Sequence, residues 1–440
     1  MSVVCGTAAE TRAKDRPLRL EEIVANGLCI GCGLCVALAG SARVKLVMTR
    51  EGRERPVAAQ PLDLQTLEVI NAACPGTRVE GARPGSSSDL AATDLVWGQA
   101  ERLAVGHASD PEVRHKGSTG GVLTALGQFL LASGRVKFIV HVGASRREPM
   151  RTEWRLSYDS ASLLQGAGSR YGPAAPLIDF QSVLERAEPF ALIAKPCDIT
   201  AVRNLARLDA RVDQYLTHAL TFSCGGASDL RKSEEILASL GLKEHQLSLL
   251  RYRGNGNPGP TRIETFDGRS FELTYNQVWE DEAKWMIQPR CKICPDAIGE
   301  SADLVATDVW PGGGPSGEDA GFNGIIVRTL RGLELYEAAL GAGVISLEPR
   351  ELSFRDLDLY QPHQVRKKRA VWARLQAMRE AGLHIPDIIN LRLEECSRLN
   401  SAEENLTERN NSLQRVREGR LGEPCATERP AALDHPTPFV

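Results

Sequence analysis

The chain has 440 residues, 42% of them hydrophobic and 25% charged, with a formal net charge of −3. This is the composition of a globular protein of two or three domains, and the charge is too small to argue for nucleic acid as a partner. No apolar run approaches a membrane span and the N-terminus, MSVVCGTAAETRAKDRPLRLEE, has no apolar secretory core, so a cytoplasmic location is expected, with the eleven cysteines as ligands or free thiols rather than disulfides.

In chain order, residues 1–20 read as a flexible polar leader. Residues 28–35 read LCIGCGLC, and residues 61–73 have helical apolar spacing that delivers Cys74. Residues 81–89 (GARPGSSSD) read as a linker. From about residue 97 the pattern is mixed α and β. A glycine-rich turn leads into a helix over 121–132. Strands are expected over 136–142, 190–194, 217–222, 303–309 and 324–329. Helices are expected over 199–208, 229–240, 334–340 and 370–380, and a hairpin turns at Asp267-Gly268. From Asn400 the text is polar and ends in prolines, which predicts a disordered tail.

Cys29, Cys32 and Cys35 form a Cys-x-x-Cys-x-x-Cys run, and Cys74 stands directly before Pro75. Such runs hold four-iron, four-sulfur (4Fe–4S) cubes, which take four thiolates. In two-cluster ferredoxins a Cys-Pro follows three residues after the run; here that position is Ala39. One cube on Cys29, Cys32, Cys35 and Cys74 is the simplest solution. Gly31 and Gly33 let the backbone wrap closely and turn N–H groups toward sulfur. Zinc ribbons use two Cys-x-x-Cys knuckles instead of a triplet.

Cys197, Cys224, Cys291 and Cys294 form a second, scattered group. The first two follow predicted strands, and strand ends converge where open α/β sheets bind ligands. Four thiols gathered there would make a second metal site; two of them alone would be ordinary buried cysteines. Cys5, Cys396 and Cys425 sit in no ligand-like motif and read as free thiols. Residues 115–126 (HKGSTGGVLTAL) offer a glycine-rich loop before a helix, a general phosphate-binding arrangement that also serves as a plain helix start. Residues 254–259 (GNGNPG) read as a turn.

These segments together resemble the coenzyme F420-reducing hydrogenase beta-subunit family, which includes a 7-hydroxymethyl chlorophyll a reductase and a ferredoxin-dependent divinyl chlorophyllide vinyl reductase. The resemblance is carried by LCIGCGLC (28–35), GSTGGVLTAL (117–126), GSRYGPAAPL (168–177), AKPCDITAVRNL (194–205), FSCGG (222–226), YRGNG (252–256) and CKICPDAIGESADLVATDVW (291–310). It implies FAD and one or two 4Fe–4S clusters on a mixed α/β fold. The matching stretches span residues 28 to about 310, and the tail matches nothing in the family. The expected layout is an iron–sulfur domain over 21–82, a flavin- and cluster-binding catalytic domain over 97–345, a helical extension over 346–399 and a disordered tail over 400–440. It assigns Cys29, Cys32, Cys35 and Cys74 to one cluster, and Cys197, Cys224, Cys291 and Cys294 to another. It assigns Lys116, Gly117, Ser118, Thr119, Gly120, Gly121, Thr124, Ser169, Arg170, Tyr171 and Lys195 to the flavin pocket. Asp296, Asp303 and Asp308 match acidic positions of the family, read as ordering and solvating loops near the cluster in preference to catalysis. Trp310 departs from the Gly-Asp of many relatives, a change at the pocket mouth.

The expected activity is an iron–sulfur flavoprotein oxidoreductase. Electrons would come from ferredoxin or another one-electron donor, and hydride would pass to or from coenzyme F420 or an unsaturated, tetrapyrrole-like substrate. His115 and Tyr171 are the expected proton donors. The alternative is a non-catalytic electron-relay subunit of a larger hydrogenase or dehydrogenase; a homo-oligomer or a subunit of a redox complex is the expected assembly.

Overall fold

The computed structural model describes residues 16–83, 85–89, 91–424 and 426. Its centre is a mixed sheet of eight strands: β1 (Arg102–Ala108), β2 (Phe138–Ala144), β3 (Thr152–Ser157), β4 (Phe190–Ile193), β5 (Leu216–Phe222), β6 (Leu304–Asp308), β7 (Asn323–Val327) and β8 (Ile345–Leu347). Across the sheet the order is β8-β1-β7-β6-β5-β4-β2-β3. The inner four, β2, β4, β5 and β6, run parallel, and the flanking strands are antiparallel.

Parallel strands are covered on both faces and therefore read as nearly unbroken apolar runs. The two faces separate cleanly. Ile139, Ala191, Leu220 and Leu304 pack on the helices Val122–Ala132 and Leu330–Gly341. Phe138, Val140, Phe190, Leu192 and Val305 face the helices Phe180–Glu185 and Pro196–Leu205. The carboxyl ends of β4, β5 and β6 open on one edge, the ligand-binding edge of such sheets. A three-stranded antiparallel sheet (Leu247–Arg251, Thr261–Thr265, Ser270–Leu273) stands beside that edge, with its hairpin turn at Asp267-Gly268 as expected.

The N-terminal region has short helices Leu20–Ala25 and Leu34–Ala39, the hairpin Val44–Met48/Glu54–Ala58 and the helix Leu64–Ala73. It shares one core with the end of the chain: Ile23, Val24, Leu28 and Val79 pack with Val371, Leu375, Met378 and Leu421. The strand Arg78–Glu80 pairs in parallel with Asp387–Ile389.

The expected disorder from residue 400 is corrected over 402–424. Ala402–Arg417 is a helix, closed by a Ser401/Glu404 capping box and lying on the long helix Pro362–Glu380 through Arg374–Glu408 (2.8 Å). Beyond it Leu421 is buried, and the Glu423 N–H donates to the Ala25 carbonyl (3.1 Å). Within the helix only Ser412 is buried. Tertiary ion pairs hold it rather than an apolar stripe, so hydropathy carries no sign of it. Residues 427–440 lie outside the described part, as do residues 1–15 of the leader expected over 1–20.

Candidate redox site: two thiol quartets beside a cavity

The first quartet is built by a tight turn. Gly31 (φ +72°) and Gly33 (φ +85°) put Cys29, Cys32 and Cys35 on the inside of the loop. At Gly33 a Cβ would sit 2.8 Å from the Ile178 Cα, so the turn presses directly on the rest of the molecule. Cys35 rides on the first turn of Leu34–Ala39, and Cys74 caps the C-terminus of Leu64–Ala73. The four thiols line one small cavity with Ile30, Leu38 and Ile70. Backbone N–H groups point at sulfur from Gly31 to Cys29 (3.4 Å) and from Gly76 to Cys74 (3.3 Å). Burial pushes the Cys29 thiol up to about 11 and holds Cys32 and Cys35 well above the ordinary range. As bare thiols these groups are neutral, so metal entering here must displace protons.

The second quartet comes from three strand-edge loops. Cys197 lies in the first turn of Pro196–Leu205 after β4, Cys224 follows β5, and Cys291 and Cys294 flank the end of the short helix Pro289–Lys292. All four line one cavity with Ile30, Lys195 and Lys367. The Ala227 N–H donates to the Cys291 Sγ (3.3 Å), and burial pushes the Cys224 thiol up to about 12. The helix Pro362–Glu380 clamps these loops: Gln364 donates to the Cys224 carbonyl (3.0 Å), Lys367 to that of Gly225 (3.1 Å) and Lys368 to that of Pro295 (2.9 Å). Among the described residues no three Cys, His, Asp or Glu side chains gather tightly enough to hold a single metal ion. The thiols ring their cavities instead.

A third space, of about 530 Å³, opens at the carboxyl edge of the sheet. Gly117, Ser118, Thr119, Gly121 and Thr124 line it from the glycine loop and the helix Val122–Ala132; Ser169, Arg170, Tyr171 and Lys195 line it from other loops. Gly121 takes φ +73° at the helix start, where a Cβ would meet the Val113 carbonyl at 2.7 Å. The Ser169 N–H donates to Ser118 Oγ (2.6 Å), which binds the two loops together.

Arg253 organises the far wall. It donates to the Ser118 carbonyl (2.6 Å), to Tyr171 Oη (3.1 Å) and to both Asp308 oxygens (3.2 and 3.3 Å). Asp308 also accepts from Thr119 Oγ1 (2.5 Å). Tyr171 and Trp279 lie 4.2 Å apart between ring centroids, and Arg253 stands 4.8 Å over Trp310. Lys195 pairs with Asp198 (2.8 Å).

The three spaces stand in a row. Ile30 lines both thiol cavities, and Lys195, Cys224, Gly226 and Ala227 line both the second thiol cavity and the large one.

Other expected residues lie outside the cavity or are engaged away from it, with Asp308 the exception. His115 is exposed and does not line the cavity, because its helix Pro111–Lys116 turns it outward. Lys116 pairs with Glu112 (2.7 Å) on the same outer face. Gly120 lies beneath the loop, where a Cβ would be 2.8 Å from the Asn323 nitrogen. The Arg170 guanidinium is spent on four carbonyls, those of Leu250, Pro149, Met150 and Arg151. Of the acidic trio, Asp303 (to the Ala219 N–H, 2.7 Å, and Arg203, 2.9 Å) and Asp296 (to the Glu300 N–H, 2.9 Å) order buried loops, and Asp308 faces the cavity. Cys396 is buried and bonds the Leu95 carbonyl (3.2 Å); Cys5 and Cys425 lie outside the described residues. Among the cavity residues not singled out from sequence are Arg253, Asn323, Tyr275, Trp279 and His363. His363 and His141 are the histidines that line the cavity, each with its pKa pushed down to about 4 by burial. Of these only Arg253 fell in a quoted stretch, YRGNG.

Comparison with known proteins returns a consistent set. Residues 103–181 match the family model described as coenzyme F420 hydrogenase/dehydrogenase, beta subunit N-term, and residues 187–352 match its C-terminus counterpart. The chain is 22% identical over 303 residues to the coenzyme F420 hydrogenase subunit beta of Methanothermobacter thermautotrophicus, covering 66% of this chain and 100% of that protein. It is 28% identical over 257 residues to the F420-dependent formate dehydrogenase 1 subunit beta of Methanococcus maripaludis, covering 56% of this chain and 62% of that protein. A chain of the F420-reducing NiFe hydrogenase complex from Methanosarcina barkeri aligns with TM-score 0.47 and 18% identity, over 63% of this chain and 95% of that one.

Proposed function

The chain belongs to the coenzyme F420 hydrogenase/dehydrogenase beta-subunit family, and on that premise we propose that it is an iron–sulfur flavoprotein oxidoreductase joining a one-electron donor to a two-electron acceptor. One observation carries the reading: two thiol-lined cavities and a large cavity follow one another and share wall residues. The donor sets fit the expected groups. Four thiols spread round a cavity, with N–H groups turned to sulfur, suit a 4Fe–4S cube. A glycine loop, the first turn of an 11-residue helix, in which Asn323 takes only the Val122 N–H (3.2 Å), and an aromatic wall suit FAD. The two cubes and FAD, when bound, supply single-electron and hydride chemistry respectively.

The chain's own work is binding, positioning and charge control. Ser118, Thr119 and Gly121 present polar groups to a phosphate. Arg253 and Asp308 hold that loop against Tyr171, whose hydroxyl is the proton-bearing group we assign to the acceptor. Burial works against the Lys195 ammonium, but Asp198 together with the Cys197 and Cys224 sulfurs outweighs it and holds the ammonium charged between the second quartet and the large cavity. The acceptor is coenzyme F420 or an unsaturated, tetrapyrrole-like molecule, and the donor a ferredoxin-like protein. Among the described residues no helix is long and apolar enough to cross a membrane.

Anaerobically purified protein is expected to carry about eight irons and one flavin. Cys291→Ser is expected to remove about four irons and spare the rest. Folded protein free of iron and flavin would refute the reading. The relatives' names, each a subunit beta, favour a second reading: an electron relay inside a larger enzyme. Steady-state assay separates the two, since a relay reduces its flavin without turning over an acceptor.

A further inference from the structure

Arg290 lies between the two quartets. Its side chain is 2% exposed. One terminal nitrogen donates to the Pro75 carbonyl (3.0 Å), next to Cys74 of the first quartet; the other donates to the Ile293 carbonyl (3.4 Å), next to Cys294 of the second. Nε is buried with no partner, and no carboxylate pairs with the guanidinium among the described residues. A buried charge without a counter-charge is costly, and it persists where negative charge is present on some other group. Iron–sulfur cubes ligated by four thiolates supply that charge on both sides.

The contact to Pro75 has a second consequence. The Pro75 carbonyl and the Gly76 N–H belong to one rigid peptide plane. Gly76 N–H points at Cys74 Sγ (3.3 Å). By holding the carbonyl, Arg290 aims the opposite N–H at a ligand sulfur. Hydrogen bonds to sulfur and nearby charge are the main levers on cluster potential.

We infer that Arg290 is a positioning residue shared by both quartets, held between them by its carbonyl contacts, whose charge raises the reduction potentials of the clusters on both sides. The inference rests on the iron–sulfur reading above. It goes beyond that reading in assigning one side chain to both centres. Lowering of the Cys74 and Cys294 thiols by the Arg290 charge agrees with this, although burial remains the larger influence and leaves both raised.

The test is a potentiometric titration followed by EPR, on full-length protein reconstituted with iron, sulfide and FAD. Arg290→Gln is expected to shift both midpoint potentials to more negative values at unchanged iron content. Arg290→Lys, which keeps the charge, is expected to hold both close to wild type. Iron content separates the two levels of failure. Wild-type protein with far fewer than about eight irons sinks the iron–sulfur reading itself. Full iron in Arg290→Gln with both potentials unmoved overturns this inference alone. If Arg290→Gln does not fold, Arg290→Lys decides: full iron with both potentials lowered overturns the inference, since charge would not be the cause.

Discussion

Arg253 and Asp308 face each other across the wall of the large cavity with both carboxylate oxygens engaged, at 3.2 and 3.3 Å, and the arginine is 4% exposed. Breaking a buried pair by removing one partner costs about 3–5 kcal/mol, because the other charge is left uncompensated. Asp308→Asn is therefore expected to destabilise the fold by a few kcal/mol and to loosen Thr119, which also bonds that carboxylate. Arg253→Lys keeps the charge but loses the fork that reaches Ser118, Tyr171 and Asp308 together. Its flavin content is expected to fall at least tenfold in affinity while iron content stays at the wild-type level. Flavin fluorescence titration of the apoflavin protein checks this; wild-type affinity in both variants would remove the pair from the binding wall.

Gly33 gives a sharper geometric prediction. Its φ of +85° alone costs a non-glycine residue about 1 kcal/mol, and a Cβ there meets the backbone of Ile178 at 2.8 Å. Gly134 has φ +70° with nothing within 4 Å. Gly134→Ala is thus expected to cost only the backbone term, about 1 kcal/mol. Gly33→Ala is expected to cost more and to lower iron bound by the first quartet. Iron assay and thermal melts on both variants make the comparison, and equal losses would show that the contact with Ile178 does not tighten the turn.

The contrast between those glycines and the cavity wall shows what sequence could reveal. Cys29, Cys32 and Cys35 are local: spacing along the chain is spacing in space, so the motif is visible. The four parallel strands are visible too, because burial on both faces leaves FALI with no polar position and LVATD apolar until Thr307 and Asp308 at its carboxyl end. Arg253, Trp279 and His363 reach one cavity only after the sheet and its neighbour are assembled; nothing local marks Trp279 or His363, and YRGNG gives Arg253 no role. His115 fails for the complementary reason: adjacency to the glycine loop in sequence says nothing about which way a short helix turns it.

His218 on β5 supplies a pH dependence. Burial pushes its pKa down from 6.5 to about 4, and its Nε2 has no partner. A base whose folded pKa is depressed binds its proton less readily in the folded state than in the unfolded one. Its contribution is fully present above pH 6.5 and is lost as pH falls toward 4. The loss is at most about 3 kcal/mol. His218→Gln is expected to lessen the acid slope in that window. Buried His141 and His363, also pushed to about 4, leave a similar slope in both proteins. The difference between the wild-type and variant denaturation curves at each pH therefore isolates His218, and a difference constant with pH would exclude its titration.

The end of the described chain returns to the first quartet, which makes residues 402–424 a structural support of that thiol-lined cavity. Glu423 grips Arg55 through both oxygens (2.7 and 2.8 Å), and Arg55 is 0% exposed. Arg55 in turn donates to the Gln288 side chain (2.9 Å), two residues before Arg290, and its charge acts on the Cys29 thiol. Truncation after Asn400 removes Glu423, Leu421 and the helix Ala402–Arg417 together. It leaves a buried arginine unpaired beside a ligand loop, a cost of about 3–5 kcal/mol before any lost apolar contact. Glu423→Gln isolates the charge: a smaller destabilisation is expected, together with faster loss of iron to a chelator. Restoring residues 401–424 to a truncated chain should recover both stability and iron retention. A truncated protein with wild-type melting and iron would mean that Arg55 finds another partner, and that the tail only decorates the surface.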